Sequence, residues 1–317
     1  MNAVNRPLVV SVPTDELRAA LEGTSELDLL VWDLRSAPPR EVIDLVVVPY
    51  MSSPRLLRQL EGVRTLLVQS QSIGYDGVLD ELPADVRFSN GAGIHEASTA
   101  ELAIGLMIAS QRLFPTYVRA QVTGAWAHER SRALTGSRVV VIGQGGVGIA
   151  INERLRPFEV DLVRVATSRR TDGAGIIHGI VELPELLATA DIVALAVPLT
   201  GTTSGLVDAA FLARMPPGSL LVNVSRGPVV VTDDLVAAVR SGHVRAAVDV
   251  VDPEPLPPDH PLWTVDGVLI TPHIGGDSSA MHPRVVRLLL EQIAALRDGA
   301  EPLNVVRDPK VPGSTGP

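Results

Sequence analysis

The run Gly143-Gln144-Gly145-Gly146-Val147-Gly148 follows the apolar stretch Arg138 to Ile142 and leads into a helix-like segment. Glycines at this spacing allow a tight turn and a close approach of backbone to a pyrophosphate, whose charge the helix N-terminus stabilises. Behind an apolar strand, the pattern predicts a dinucleotide site. Downstream, Asn223-Val-Ser225-Arg226-Gly227 closes another apolar run and sets a guanidinium at its end. A guanidinium fork donates two parallel hydrogen bonds, which suits a planar carboxylate. Asp249 closes the next run and is followed by Asp252-Pro-Glu254-Pro, and Thr271-Pro-His273-Ile-Gly-Gly276 follows the third. Arginine, glutamate and histidine therefore stand at three successive strand ends. Together they could grip an anion and move a proton.

A fourth stretch bears on the dinucleotide itself. Folds that bind NAD usually place Asp or Glu about 20 residues into the glycine motif, where it holds the ribose 2′-hydroxyl and repels a 2′-phosphate. Here Val163-Arg-Val-Ala166 ends in Thr167-Ser168-Arg169-Arg170, with Ala166 about where the acid would stand. Two hydroxyls and two guanidiniums can neutralise a phosphate, so the tetrapeptide predicts a 2′-phosphate pocket and NADP in preference to NAD. The competing reading is a solvated basic turn with Asp172 reaching back to the ribose.

These stretches need a scaffold that lines up strand ends. Short apolar runs at Leu8 to Val12, Leu27 to Trp32, Ile43 to Val48, Leu66 to Val68 and Val86 to Ser89 alternate with helix-like segments, the pattern of a parallel sheet. A second series begins at Arg138 to Ile142 and continues at Asp161 to Ala166, Ile192 to Val197, Leu220 to Val224, Ala246 to Val250 and Val268 to Ile270. Strands buried on both faces read as such apolar runs. Between the series, Glu96 to Ser110 has an apolar helix pattern, expected to open at Ser98 or Thr99 with Glu101 as a capping signal and to lie between domains. After Ser278 a further helix is expected from about Arg284 to Arg297. The tail from Lys310 to Pro317 is rich in Pro, Gly and Ser and is expected to be disordered.

Length and composition narrow the function classes. A chain of 317 residues exceeds the usual size of one core. The 36 acidic residues outnumber the 27 basic ones, and Lys and Arg form no stripe able to track a nucleic acid backbone. With no cysteine there is no disulfide, thiolate nucleophile or Cys-ligated zinc, which fits a cytoplasmic protein. Histidines at ligand spacings such as His-x-x-x-His are missing, so no metal site is expected. Charged residues follow the first apolar run at once, against a secretory leader, and every apolar stretch is broken well short of the roughly 18 residues a bilayer requires.

The chain resembles the D-isomer-specific 2-hydroxyacid dehydrogenases. The resemblance lies in the glycine run, Val197-Pro198-Leu-Thr200, Asn223-Val-Ser-Arg-Gly227, Asp249-Val-Val-Asp-Pro-Glu-Pro255, His260-Pro-Leu-Trp263 and Thr271-Pro-His-Ile-Gly-Gly276, and is weakest before Gln69. It implies an α/β protein of two Rossmann/flavodoxin-like lobes with doubly wound parallel sheets and a cleft between them. Residues 1–94 with 278–317 would bind the substrate, and 95–277 the cofactor. By the same resemblance Arg226 would hold the carboxylate and carbonyl oxygen of a 2-oxo acid, His273 would be the acid/base, and Glu254 would pair with its imidazole. Asp249 would hold the nicotinamide carboxamide, and Thr99, Val197, Pro198, Thr200 and Ser225 would contact the cofactor. Ser72, Ile73 and Gly74 fall where the family grips the substrate carboxylate with backbone amides.

The implied activity is hydride transfer between NAD(P)H and a small 2-oxo acid, glyoxylate or hydroxypyruvate reductase-like. A phosphoglycerate dehydrogenase-like enzyme without a regulatory domain and a dinucleotide-sensing, corepressor-like protein are alternatives on the same fold. Formate oxidation is disfavoured because that branch carries Gln where Glu254 stands. Trp126 falls in a segment that family dimers exchange, and with the apolar helix Leu102 to Ala109 it predicts a homodimer. Of the remaining histidines, His128, His178, His243 and His282 are expected to be solvated and His260 structural, while His95 precedes the interdomain helix and is a candidate ligand contact.

Overall fold

The computed structural model describes residues 6–309; the expected disorder of the tail from Lys310 lies outside them. The chain divides into two compact units, Met1–His95 with Ser279–Pro317, and Glu96–Ser278.

In the first unit β1 (Leu8–Val12), β2 (Leu27–Val31), β3 (Leu45–Val47), β4 (Leu67–Gln69) and β5 (Phe88–Ser89) form a parallel sheet in the order β2-β1-β3-β4-β5, a doubly wound order. Alternate side chains enter two cores. Leu45, Val47 and Leu67 face one with Leu17, Leu21, Val285, Leu289 and Leu296, whereas Val46, Val48 and Val68 face the other with Trp32, Leu57, Leu60 and Phe88. Helix Asp15–Leu21 starts where the Thr14 hydroxyl accepts the Leu17 N–H, with Asp15 and Glu16 favourably placed in its first turn. Helix Met281–Asp298 brings the chain back to this unit and stops at Gly299, which is left-handed with φ +66°. Its one fully buried polar side chain, Gln292, is satisfied by Gln69 Oε1 at 2.6 Å and by both backbone groups of Leu303 at 2.9 Å. A last strand at Val305–Arg307, absent from the sequence reading, pairs antiparallel with β5, and Asp308 meets buried Arg87 at 2.7 Å.

The second unit holds β6 (Arg138–Ile142), β7 (Asp161–Ala166), β8 (Arg170–Asp172), β9 (Gly175–Gly179), β10 (Ile192–Leu195), β11 (Ser219–Asn223), β12 (Val244–Val248) and β13 (Val268–Ile270). Their order is β13-β12-β11-β10-β6-β7-β9-β8, parallel except for β8. Setting that edge strand aside and counting from β6, the order is 3-2-1-4-5-6-7, which reverses between β6 and β10. Val140, Ile142, Val193, Leu195 and Leu221 face one core, and Val139, Val141, Ile192, Ala194 and Val222 the other.

Several boundaries differ from the sequence reading. Helix Glu96–Gln111 begins at Glu96, not at Ser98 or Thr99, because Thr99 is already a buried helical position. Its Ala100, Ala103, Ile104, Leu106 and Met107 pack on the second unit's own sheet, so this helix belongs to that unit's core. β10 stops at Leu195, two residues short of Val197. The hairpin β8–β9 was missed because Arg170-Thr-Asp172 is exposed throughout and carries no apolar signal.

Candidate active site

The glycine loop leaves β6 with a distinct demand at each position. Gly143 has φ +106°, and a Cβ there would lie 2.2 Å from the Ala196 carbonyl oxygen. At Gly148 a Cβ would lie 1.9 Å from the Gly143 carbonyl oxygen, so this glycine lets helix Gly146–Leu155 pack against the turn. Gly145 differs: a Cβ would meet nothing within 4 Å among the described residues. That open face leaves bare backbone at the N-cap of the helix, an arrangement that could hold a pyrophosphate. A Cβ at Gly146 would meet Glu96 Cγ at 2.6 Å. Gln144 turns back, donating to the Val141 carbonyl at 3.2 Å and accepting from Asn152 at 2.8 Å, and Val147 packs on the core.

Within β7, Arg164 holds Asp172 through two hydrogen bonds of 2.8 and 2.9 Å, and Asp172 also accepts the Ala174 N–H. The carboxyl is held below its ordinary value, mainly by the bond from Arg164. Asp172 is thus engaged by Arg164 of β7 and by its own turn, against the alternative that it serves a ribose. Arg169 pairs with Glu182, and Arg170 opens β8 with its side chain exposed. After β10, Thr200 sits in a local hydroxyl cluster, its N–H donating to Thr203 Oγ1 at 2.8 Å while that hydroxyl donates to the Pro198 carbonyl at 2.6 Å.

Arg226, Asp249 and His273 come from three neighbouring strands that share one register. Asn223 lies opposite Val248, and Val248 opposite Ile270. Arg226 is three residues beyond that line (226 − 223), Asp249 one (249 − 248) and His273 three (273 − 270). Asn223 shapes the first excursion: its side chain accepts from the Ser225 N–H at 3.0 Å and hydroxyl at 2.6 Å, and donates to the Arg226 carbonyl at 3.1 Å. Ser225 is therefore buried in this turn. Gly227 is required because a Cβ would lie 1.8 Å from the Val251 carbonyl oxygen. The Arg226 guanidinium folds over its turn, Nη1 donating to the Ser225 carbonyl at 2.7 Å.

Asp249 is buried, and its carboxylate accepts from Thr271 Oγ1 at 2.6 Å and from the N–H groups of Ile274 and Gly275 at 2.9 Å each. Its carbonyl takes the His273 N–H at 2.8 Å. Thr99 lies beside the same loop, since a Cβ at Gly275 would meet Thr99 Cγ2 at 3.2 Å. His273 has φ +53°, a left-handed value that few residues other than glycine adopt. His273 Nδ1 stands 2.9 Å from Glu254 Oε2, and Glu254 Oε1 accepts the Val251 N–H at 3.0 Å. Burial alone would raise the Glu254 carboxyl. The hydrogen bonds from His273 and Val251 and the charges of His273 and Arg226 outweigh it and hold the group below its ordinary value. An ionised Glu254 can only accept, so Nδ1 is the donor and Nε2 is the nitrogen left to exchange a proton.

The sequence of the second unit matches the family described as "D-isomer specific 2-hydroxyacid dehydrogenase, NAD binding domain" over residues 104–275. The chain belongs to the D-isomer specific 2-hydroxyacid dehydrogenases. It is 36% identical over 259 residues to a Corynebacterium melassecola protein called "Uncharacterized protein in proB 3'region", covering 78% of this chain and 82% of that one. It is 32% identical over 286 residues to the Homo sapiens "Glyoxylate reductase/hydroxypyruvate reductase", covering 84% and 86%. Among solved structures, a D-isomer specific 2-hydroxyacid dehydrogenase from Xanthobacter autotrophicus Py2 in complex with NADPH and MES is similar, with a TM-score of 0.78, 29% identity and coverage of 96% and 99%. As a 2-hydroxyacid dehydrogenase, the protein is an NAD(P)-dependent oxidoreductase acting on CH–OH donors.

Other expected residues belong to the first unit or to other turns of the second. In the first unit the Ser72 N–H donates to Ser70 Oγ at 3.0 Å, the Ser72 carbonyl accepts the Gly91 N–H at 2.7 Å, and the Ile73 carbonyl accepts from Asn90 at 2.9 Å. The loop before Gly74 is therefore pinned by its neighbours. His95, only 5% exposed, has Nε2 at 2.6 Å from the Gln71 carbonyl and its ring against Tyr50, which fixes the base of that loop. His178 and His243 are not merely solvated: His178 Nδ1 bonds Glu182 at 2.8 Å, and His243 Nε2 lies 3.1 Å from the Leu212 carbonyl. Thr271 was missed as a site residue because its bond to Asp249 on a neighbouring loop leaves no pattern along the chain, and Asn223 because its bonds to Ser225 and Arg226 shape a turn without reaching a reacting group. Among the described residues no helix is long and apolar enough to cross a membrane.

Proposed function

We propose that this dehydrogenase is an NADP(H)-preferring reductase of small 2-oxo acids, with glyoxylate and hydroxypyruvate as substrates. The observation that carries the reading is the 2.9 Å contact of His273 Nδ1 with Glu254 Oε2, built on the same sheet edge as Arg226. The chemistry supplied by a bound reduced nicotinamide is hydride donation to the substrate C2. Arg226 grips the carboxylate and carbonyl oxygen and stabilises the charge that develops on that oxygen. His273 gives it a proton from Nε2, while Glu254 favours the imidazolium and fixes the ring. Asp249 braces the His273 loop and would hold the carboxamide of a bound nicotinamide.

The name of the human relative supports the substrate choice. The NADP preference is supported by Thr167 to Arg170, by the engagement of Asp172 with Arg164, and by the NADPH complex of the Xanthobacter relative. We further place the enzyme in the cytoplasm as a homodimer. Phe114, Val118 and Val122 recur at intervals of four along helix Phe114–Val122 and are 51%, 61% and 85% exposed, and Trp126 in the non-helical segment that follows is 96% exposed, together the kind of apolar surface that a second copy covers. This surface replaces helix Leu102 to Ala109, which is largely buried in its own unit, as the basis of the dimer.

Initial rates with glyoxylate, hydroxypyruvate, pyruvate, phenylpyruvate and phosphohydroxypyruvate, each with NADPH and NADH, test the proposal. The highest kcat/KM is expected for the first two with NADPH. A preference for phosphohydroxypyruvate would move the substrate, a preference for NADH would refute the cofactor choice, and no turnover of any 2-oxo acid would leave a dinucleotide sensor.

A further inference from the structure

Arg169, Glu182 and His178 form a cluster that the reaction does not use. Ala166 at the end of β7 lies opposite Gly179 at the end of β9, so the turns that follow leave the sheet side by side. Gly179 lets them touch, since a Cβ there would stand 3.1 Å from the Arg169 nitrogen. Glu182 Oε1 accepts the Gly179 N–H at 2.8 Å, while Oε2 faces His178 Nδ1 at 2.8 Å and is paired with Arg169 Nη1. The bond from His178, followed by that from Gly179, holds the Glu182 carboxyl below its ordinary value, so it is ionised at neutral pH. The Arg169 side chain remains 56% exposed, within reach of a ligand yet already bound to a carboxylate.

We propose that Glu182, anchored by His178 and Gly179, is a specificity-determining residue whose carboxylate competes with the cofactor 2′-phosphate for Arg169 and thereby limits the preference for NADP(H) over NAD(H). This rests on the reading of Thr167 to Arg170 as the 2′-phosphate site. A phosphate arriving at Arg169 must share or displace a carboxylate that repels it. A cofactor bearing only a 2′-hydroxyl carries no such charge at this position. The chain thus sets a guanidinium and its counter-ion at one ribose site, an arrangement that admits both cofactors.

The test is calorimetric titration of the wild type, Glu182→Gln and Arg169→Ala with Arg170→Ala, using 2′,5′-ADP and 5′-AMP as probes. Gln keeps the length of Glu and can still accept the Gly179 N–H. Removing one negative charge near a half-exposed guanidinium is expected to tighten 2′,5′-ADP by about threefold to tenfold, with 5′-AMP unchanged. Unchanged or weaker 2′,5′-ADP binding in Glu182→Gln, in a wild type that prefers 2′,5′-ADP and loses that preference with both arginines, overturns the inference and leaves the phosphate site standing. Loss of 5′-AMP affinity in Glu182→Gln would also overturn it, by making Glu182 a requirement for the shape of the site. A wild type that binds the two probes equally and is indifferent to the arginine substitutions overturns the phosphate site itself.

Discussion

Replacing Asp249 with Asn should damage both folding and catalysis, although Asp249 does not touch the imidazole. The wild-type carboxylate accepts three hydrogen bonds from Thr271, Ile274 and Gly275 in a buried setting. An amide keeps one acceptor oxygen, so two of those donors can still be served. The other terminal atom becomes NH2, which faces the Gly275 N–H and leaves it unpaired. Stranding a buried donor costs about 1–3 kcal/mol, and turning the two charge-assisted bonds into neutral ones costs about 1 kcal/mol each. The expected loss of stability is about 3–5 kcal/mol on this reasoning, which a shift in denaturant midpoint at unchanged m-value would report. With the brace loosened, His273 can leave its left-handed conformation. A displacement of about 1 Å at a proton donor lowers kcat by about 10²-fold. An Asp249→Asn enzyme with both the midpoint and the kcat of the wild type would refute the argument.

Four further outcomes are expected. His273→Ala should lower kcat by about 10² to 10⁴ while dinucleotide affinity in fluorescence titration stays near the wild-type value; near-normal turnover would remove His273 from the mechanism. Arg226→Lys keeps the charge but loses the two-pronged grip, so kcat/KM for 2-oxo acids should fall by about 10²-fold or more, and an unchanged value would argue against carboxylate binding there. Glu254→Gln removes a negative charge beside the imidazole and should move the alkaline limb of kcat/KM for 2-oxo acid reduction to lower pH. Because the folded Glu254 carboxyl lies below its ordinary 4.5, it stabilises the fold above that pH and the contribution is lost as pH falls through the depressed value. The variant should therefore lose less stability on acidification than the wild type, and a limb that stays in place would separate Glu254 from His273. Light scattering should give twice the chain mass of 33.6 kDa, and Trp126→Ser with Val122→Ser should weaken association; a monomer across micromolar concentrations would end the dimer reading.

Which parts of this protein can be read along the chain follows from what limits each residue. Gly143, Gly148 and Gly227 are legible because a single atom added there would collide with main chain, so the geometry is written as residue type. The apolar strands are legible because both faces of each sheet are covered. β8 is not, since its residues are exposed and its pairing depends on a neighbouring strand. The bracing role of Asp249 is equally silent: its partners are mostly main-chain N–H groups, which every non-proline residue has. Helix Glu96–Gln111 shows a further limit. An apolar pattern reveals that a surface is covered, and here the cover is the chain's own sheet, not a second copy.

The left-handed His273 joins the anchor to the imidazole that meets Glu254. Three consecutive N–H groups, those of His273, Ile274 and Gly275, all end on Asp249, the first on its carbonyl and the others on its carboxylate. In an extended strand successive N–H groups point to opposite sides, so no one residue could collect them. A left-handed residue within the run turns them into a common concavity, the geometry by which backbone amides hold an anion. Asp249 stands one residue past β12, too close to the sheet for a long reach but directly under the excursion that follows β13. Such backbone conformations cost of order 1 kcal/mol or more and persist where their surroundings fix them. The anion that fixes this one is internal, and the imidazole it presents faces Glu254, five residues beyond Asp249 (254 − 249) in the segment that follows β12. Any change that empties the concavity must therefore move His273, whether or not it touches a ligand.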